Sequence, residues 1–177
     1  TTNAMEEVLE HFMKANRDAA FVKLAEVETY HAGIVQELFG DSPEGMQAMK
    51  PLFDEIKAAI TNGVGDDYDR WYDRLVSYGE LFSTKVVSAY LQKSGVDNRW
   101  LDMRGLLVTD SNFREANVKM EESQKQLRKA ADFKKNRIYI GQGFIGANVK
   151  GDPTTLGREG SDYTAAVVGN LLDAESV

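Results

Sequence analysis

The chain has 177 residues, and the 42% of them that are apolar are sufficient for a hydrophobic core. Lysine and arginine number 21 against 28 aspartates and glutamates, and the resulting net charge of −7 argues against nucleic acid or an anionic membrane as the main partner. Cysteine is absent, which excludes disulfides, thiolate nucleophiles and cysteine zinc sites and favours a reducing compartment.

Three amphipathic helices are predicted in the first third of the chain. Asn3 is placed to cap the first helix, with a glutamate three residues later as in a capping box. The second helix covers residues 21–39 and ends at Gly40. Pro43 opens the third, which Pro51 is expected to kink or divide.

Two shorter helices follow, over residues 67–77 and about 80–93, with a break at Gly79. The acidic stretch "GDDYDRWYD" at 65–73 lacks the spacing and closing glutamate of an EF-hand loop, so we interpret it as a solvated helix start. Met5, Met13, Met46 and Met49 have helical spacing and indicate core packing.

Short apolar strands alternate with helices in the second half. "RWLDMRGLLVTD" at 99–110 predicts short strands with a bend at Gly105, and residues 114–131 form a charged, exposed helix. A buried strand at 137–140, a glycine-punctuated strand or loop, and a final helix from residue 160 to 172 follow. This alternation predicts an α/β fold with a largely parallel sheet, which the helical first half covers or extends.

"TTLGREGSDYTAA" at 154–166 combines a fixed positive charge with a helix start. Ser161 is placed as the N-cap, and Asp162 follows it in the first turn. Arg158 offers a planar fork of donors to a carboxylate or phosphate, and Thr154 and Thr155 add hydroxyl donors. Glycines cluster before and within this stretch, at positions 141, 143, 146, 151, 157 and 160. The pattern predicts an anion site, and the carboxylate of Asp162 indicates a ligand that also has a cationic part, or a bound metal.

Simpler interpretations of these residues stay open. Glycine-rich turns before helices are common, and the GxGxxG at 141–146 is a weak dinucleotide motif because no helix follows it. His11 and His31 lie on separate predicted helices and are interpreted as surface or interface residues, not as metal ligands. We predict no metal site from these side chains.

Four stretches together resemble a known family. "TTLGREGSDYTAA", preceded by "GFIGANVKGDP", closely resembles the aspartate kinase signature of the amino-acid kinase superfamily. "SYGELFSTKVVSAYLQKSGV" at 77–96, "LDMRGLLVTDSNFREA" at 101–116 and "TTNAM" at 1–5 are similar to further parts of that family, in the same order. The resemblance covers essentially the whole chain.

The resemblance implies a three-layer α/β/α sandwich with a largely parallel sheet. It also implies phosphoryl transfer from ATP, with Mg²⁺, to the β-carboxylate of L-aspartate, which gives 4-phospho-L-aspartate and begins lysine, threonine and methionine biosynthesis. A cytoplasmic enzyme that commonly forms homodimers is expected. A glutamate or N-acetylglutamate kinase, or a kinase that phosphorylates a nucleotide, is the nearest alternative, and a non-catalytic regulatory amino-acid-binding domain is another.

Six substrate-binding residues follow from the resemblance. They are Thr2, Glu80, Arg158, Gly160, Ser161 and Asp162. Arg158 would pair with the α-carboxylate of aspartate, and Glu80 and Asp162 would hold its ammonium group. Thr2 would lie near the β-carboxylate that is phosphorylated, and Ser161 would lie at the head of the last helix, close to the substrate.

The sequence departs from the family pattern in two respects. Glu159 stands where the family often has glycine, and a positive φ at this position would cost a glutamate more than a glycine. The family's catalytic lysine is expected upstream of Thr1, and the rest of its ATP site and its regulatory ACT modules downstream of Val177. Residues 1–177 are therefore expected to be the central part of the catalytic domain, inactive alone.

Overall fold

The computed structural model describes all residues from 1 to 177, which form two compact units. The first unit is Thr1–Val96 and is entirely helical, and the second is Asp97–Val177 and mixes strands with helices. None of the helices combines the length and the apolar character that crossing a bilayer requires.

The first unit consists of five helices packed around aromatic side chains. The helices are α1 (Thr2–Met13), α2 (Arg17–Phe39), α3 (Glu44–Asn62), α4 (Tyr68–Val76) and α5 (Tyr78–Lys93). Phe53 of α3 and Phe82 of α5 are fully buried, and their rings stack with centroids 4.3 Å apart. Burying a side chain of this size contributes about 2–3 kcal/mol, so this pair joins α3 to α5. Met5 and Met49 are also fully buried, which confirms the predicted methionine packing for these two positions.

The ends of the first three helices differ in part from the expectation. Asn3 lies inside α1, and Thr1 is the N-cap residue, without a side-chain capping bond, so the predicted cap is wrong. Gly40 ends α2 as predicted, with a φ of +61°. Pro51 lies inside α3, which continues past it, so of the two predicted effects of this proline the division does not occur. Proline removes one backbone donor, and we attribute the continuity to the burial of the following Leu52 and Phe53 side chains.

The break between α4 and α5 lies at Ser77 and not at Gly79. Ser77 is the C-cap of α4 and the N-cap of α5, whereas Gly79 is buried inside α5. A Cβ atom on Gly79 would lie 3.1 Å from the Thr2 hydroxyl oxygen, so glycine here permits a close approach of α1. Asp67 caps α4 by accepting a bond from a backbone N–H, which confirms the predicted helix start, although Asp73 in the same stretch is fully buried.

The second unit is an α/β arrangement with parallel strand pairs. Its elements are β1 (Arg99–Trp100), a 3-10 helix (Met103–Gly105), β2 (Val108–Thr109), α6 (Met120–Ala130), β3 (Tyr139–Ile140), β4 (Ile145–Asn148), β5 (Pro153–Thr155) and α7 (Gly160–Leu171). β1 pairs with β3 and β2 with β4, both in parallel, and β5 adds to β4 in antiparallel orientation. The α/β class with parallel strand pairing is confirmed, whereas the antiparallel β5 was not expected.

Helix α6 begins at Met120, six residues later than predicted. The preceding loop is held by Asp110, whose carboxylate accepts bonds from the backbone N–H groups of Asn112 and Asn117 and from the Asn117 side chain. These bonds, chiefly the one from the Asn117 amide, lower the pKa of Asp110. The charge pattern of this segment is helical, but the loop satisfies its backbone groups through Asp110 instead.

His31 is buried inside the first unit, so of the two alternatives predicted for it, surface or interface, the surface position is excluded. Its ring centroid lies 4.8 Å from that of Phe82, and its Nδ1–H donates to the Val27 carbonyl at 2.8 Å. Burial lowers the pKa of His31, so the imidazole is neutral near pH 7. No group of three or more histidine, aspartate and glutamate side chains in the chain is placed to hold a metal ion.

Candidate functional site

Two glycine-containing segments meet at the start of α7. The loop from Gly141 to Phe144 and the turn from Leu156 to Glu159 are joined by a bond from the Leu156 N–H to the Phe144 carbonyl at 2.9 Å. A Cβ atom on Gly143 would lie 2.8 Å from the Cα, Cβ and Oγ atoms of Ser161. Only glycine allows the loop to approach the helix start this closely.

The turn before α7 has two residues in the left-handed region. Gly157 has a φ of +76° and Glu159, the N-cap of α7, a φ of +58°. The prediction that Ser161 is the N-cap is therefore wrong, because Ser161 lies in the first turn. A left-handed conformation costs a residue other than glycine about 1 kcal/mol, so the glutamate at position 159 is tolerated at a local cost.

Arg158 is an unpaired cation between these two left-handed residues. Its side chain is exposed and makes no hydrogen bond or ion pair within the chain. Ser161 and Asp162 follow in the first turn of α7, both exposed, and their N–H groups have no acceptor within the helix. An unpaired guanidinium beside the positive end of a helix is suited to bind a carboxylate or a phosphate.

Thr154 and Thr155 do not contribute hydroxyl groups to this helix start. Both belong to β5 and are almost completely buried, at 0% and 1% exposure. The Thr154 hydroxyl is bonded to the hydroxyl of Thr109 on β2, with the oxygens 2.7 Å apart. Their predicted role as anion donors at the helix start is therefore wrong, because both side chains are buried.

Phe144 is a strained residue that the sequence does not single out. It has a φ of +70°, although it is not glycine, and its N–H donates to the Thr164 hydroxyl at 2.9 Å. The same hydroxyl donates to the Gly160 carbonyl at 2.7 Å. A Cβ atom on Gly160 would lie 2.8 Å from the Phe144 ring, so this glycine makes room for the phenylalanine. The density of glycines around position 144 was the only sequence signal.

The loop before α6 also borders the turn that carries Arg158. A Cβ atom on Gly157 would lie 3.2 Å from the Arg114 carbonyl oxygen and 3.4 Å from the Glu115 side chain. The Ala116 N–H donates to the Thr155 carbonyl at 2.9 Å, which fixes the loop to the end of β5. Sequence reasoning missed this neighbour because the segment had been assigned to a helix.

The first unit brings Thr2 and Glu80 together. Thr2 begins α1 and lies against Gly79, the residue before Glu80 in the first turn of α5. The Glu80 carboxyl group is half-buried and has no hydrogen-bond partner within the chain. Burial raises the pKa of Glu80. A carboxylate held in this way is suited to bind an ammonium group.

The six predicted site residues thus fall into two groups. Arg158, Gly160, Ser161 and Asp162 lie within five positions of one another at the start of α7 in the second unit, and Thr2 and Glu80 lie at helix starts of the first unit. One group offers a cation, helix N–H groups and a hydroxyl, and the other offers a desolvated carboxylate. The role of each residue toward a substrate stays a prediction.

Comparison with known proteins gives matches over nearly the whole chain. The sequence model of the amino acid kinase family matches residues 4–177. The chain is 31% identical over 166 residues to bifunctional aspartokinase/homoserine dehydrogenase 2, chloroplastic, of Zea mays. This match covers 90% of this chain and 18% of the Zea mays protein. The chain is also 29% identical over 171 residues to the aspartokinase of Chlamydia muridarum, and this match covers 97% of this chain and 37% of that protein.

Among solved structures, the chain is similar to E. coli aspartokinase III in complex with aspartate and ADP, in the R-state. The TM-score is 0.81 at 30% sequence identity, and the match covers 98% of this chain and 38% of the other. The chain therefore spans less than one fifth of the length of the plant bifunctional relatives and less than two fifths of that of the bacterial ones.

Proposed function

This chain belongs to the amino acid kinase family, and we propose that the protein that carries it is an aspartate kinase. The observation that carries the proposal is the match of 98% of the chain, with a TM-score of 0.81, to an aspartokinase bound to aspartate and ADP. The reaction would form a bond between a β-carboxylate oxygen of L-aspartate and the γ-phosphorus of ATP, and would break the bond from that phosphorus to ADP. The product, 4-phospho-L-aspartate, would enter lysine, threonine and methionine biosynthesis.

The charges of the second unit fit one end of this substrate. The exposed guanidinium of Arg158 has no partner and would form a bidentate pair with the α-carboxylate. The backbone N–H groups of Ser161 and Asp162, in the first turn of α7, add hydrogen-bond donors for the same carboxylate. They lie at the positive end of the α7 dipole, which also favours an anion. We propose that this helix start binds the amino-acid end of aspartate.

The half-buried carboxylate of Glu80 fits the other charged group of an amino acid. A carboxylate whose pKa burial has raised is stabilised in its charged form when a cation binds beside it. We propose that Glu80 and Asp162 hold the substrate ammonium group, and that Thr2 lies near the β-carboxylate. An N-acetylated substrate has no such cation, so this feature favours a free α-amino acid over N-acetylglutamate.

The chain supplies no cluster of side chains that fits a metal ion. We therefore assign no Mg²⁺ ligand to it, and we expect Mg²⁺, the nucleotide and the catalytic lysine to be held by other parts of the protein. Phosphoryl transfer depends on neutralising charge on the transferred group, so the 177-residue chain alone is expected to bind aspartate and not to phosphorylate it. A homodimer and a cytoplasmic location are part of the same proposal.

Titration of the 177-residue chain with L-aspartate tests the substrate assignment. We expect weak binding that is stereoselective, with D-aspartate, L-glutamate and N-acetyl-L-glutamate as comparisons. Equal binding of N-acetyl-L-glutamate would contradict the role of Glu80, and preference for L-glutamate would favour a glutamate kinase. Indifference to all four ligands would contradict a preformed aspartate site in this chain.

An activity assay on the whole protein tests the reaction. Acyl phosphates react with hydroxylamine, so formation of a hydroxamate that depends on both ATP and L-aspartate would support the proposed transfer to a carboxylate. A protein that binds aspartate without any such product would instead match a regulatory amino-acid-binding domain.

A further inference from the structure

We propose that Thr164 is a positioning residue that holds the loop from Gly141 to Phe144 in the geometry needed at the start of α7. The inference rests on the proposed function, because it concerns the helix start to which aspartate binding is assigned. Thr164 has no predicted role in binding and lies one turn into α7, after the charged groups of Arg158 and Asp162.

The Thr164 hydroxyl is buried and uses both of its bonding functions. The side chain is 4% exposed. Its proton is donated to the Gly160 carbonyl at 2.7 Å, and its oxygen accepts the Phe144 N–H at 2.9 Å. A hydroxyl has one proton and can accept through its lone pairs, so the two bonds coexist and join the loop directly to the first turn of α7.

The residue that Thr164 holds is strained. Phe144 has a φ of +70°, a left-handed conformation that an aromatic L-residue rarely adopts. Residues in such conformations persist only where the surroundings determine them, and they concentrate at functional sites. The Thr164 bond is the restraint on the Phe144 N–H, and the ring is accommodated because Gly160 has no side chain.

Movement of Phe144 would be transmitted to the predicted substrate residues. Gly143 precedes it and is packed so closely on Ser161 that even a methyl group would come within 2.8 Å of three Ser161 atoms. The Phe144 carbonyl accepts the N–H of Leu156, which begins the turn that carries Arg158. Release of Phe144 would therefore alter both the surface beside Ser161 and the support of the Arg158 turn.

Two substitutions at position 164 separate the hydroxyl from the shape of the side chain. Thr164→Val keeps the volume and removes both hydrogen bonds, whereas Thr164→Ser keeps the hydroxyl and removes a methyl group. Val167→Ala is the control, because Val167 is 4% exposed on the same helix and its truncation lowers stability without touching these bonds. Each variant of the 177-residue chain is measured by NMR amide exchange at Phe144 and by titration with L-aspartate.

We expect Thr164→Val to accelerate exchange of the Phe144 amide at least tenfold and to weaken L-aspartate binding by about tenfold or more. Thr164→Ser should stay within about threefold of the wild type in both measurements. Val167→Ala should lower the unfolding midpoint while leaving L-aspartate affinity unchanged. This combination would assign the effect to the hydroxyl and not to a loss of global stability.

The inference would be overturned if Thr164→Val kept the wild-type rate of Phe144 amide exchange and the wild-type affinity for L-aspartate. It would also be overturned if Thr164→Ser or Val167→Ala lost as much affinity for L-aspartate as Thr164→Val. Absence of L-aspartate binding in the wild-type chain would count against the proposed function. The exchange rate of the Phe144 amide would then decide by itself whether Thr164 holds the loop.

Discussion

Arg158→Ala should remove most of the affinity for L-aspartate and leave the fold unchanged. The guanidinium is exposed and unpaired within the chain, so its removal breaks no internal contact and should alter the free energy of unfolding by at most about 0.5 kcal/mol. Its hydrogen bonds to a substrate carboxylate are charge-assisted and contribute about 1.5–3 kcal/mol. That energy corresponds to a rise of about 10- to 150-fold in the dissociation constant or KM for L-aspartate.

Two measurements isolate this effect. Urea unfolding of the 177-residue chain reports stability, and steady-state kinetics of the whole protein report the KM values for L-aspartate and ATP separately. Arg99→Ala is the matched control, because Arg99 is also an exposed arginine but begins β1. An aspartate KM that stays at the wild-type value in Arg158→Ala, or that rises equally in Arg99→Ala, would refute the reasoning. A rise in the ATP KM alone would assign Arg158 to the nucleotide instead.

Three further predictions concern Glu80, Gly143 and His31. Glu80→Gln should weaken L-aspartate binding about tenfold. Because the folded-state pKa of Glu80 is raised, its carboxyl contributes a gain in stability as the pH falls toward 4.5, and the variant should lack this contribution; an unfolding pH profile equal to that of the wild type would contradict this. Gly143→Ala should lower the free energy of unfolding by about 1–3 kcal/mol, because the added methyl group would collide with Ser161. Gly105→Ala is the control and should not destabilise the chain, because its methyl group would meet no atom within 4 Å. Equal urea midpoints for the two variants would contradict the close approach of Gly143 to Ser161. His31 has a lowered folded-state pKa, so it contributes a loss of stability as the pH falls below about 6.5. His31→Gln should remove this loss from the unfolding profile, and an unchanged profile in the variant would contradict the prediction.

Local sequence signals predicted those features that depend on neighbours along the chain. The apolar spacing predicted the helices of the first unit. Gly40 was predicted to end α2 because glycine commonly follows the last residue of a helix, and its φ of +61° agrees with this. The final helix was predicted to begin at Gly160, where the structure begins it. The signature around Arg158 indicated the family, which the match over residues 4–177 confirms.

Two errors occurred where competing local arrangements have similar energies. Asn3 had the residue type of a cap, but α1 begins one residue before it. The segment before α6 had a helical charge pattern, but the Asp110 carboxylate holds it as a loop. In both places a local preference worth about 1 kcal/mol competes with alternatives of similar energy, so the neighbouring residues alone do not decide the outcome.

The sequence by itself determined the order of the helices, the α/β class and the residue types at the start of α7. Only the tertiary structure decided which of these residues face solvent and which face the core. Thr154 is buried because β5 pairs with β4, while Arg158, four positions later, is left exposed and unpaired. Phe144 takes a left-handed conformation because Thr164 and Gly160, 20 and 16 positions away, supply an acceptor and an empty space. Hydrogen bonds and close packing between residues far apart in the chain stabilise these arrangements, and such contacts cannot be predicted from a local sequence pattern.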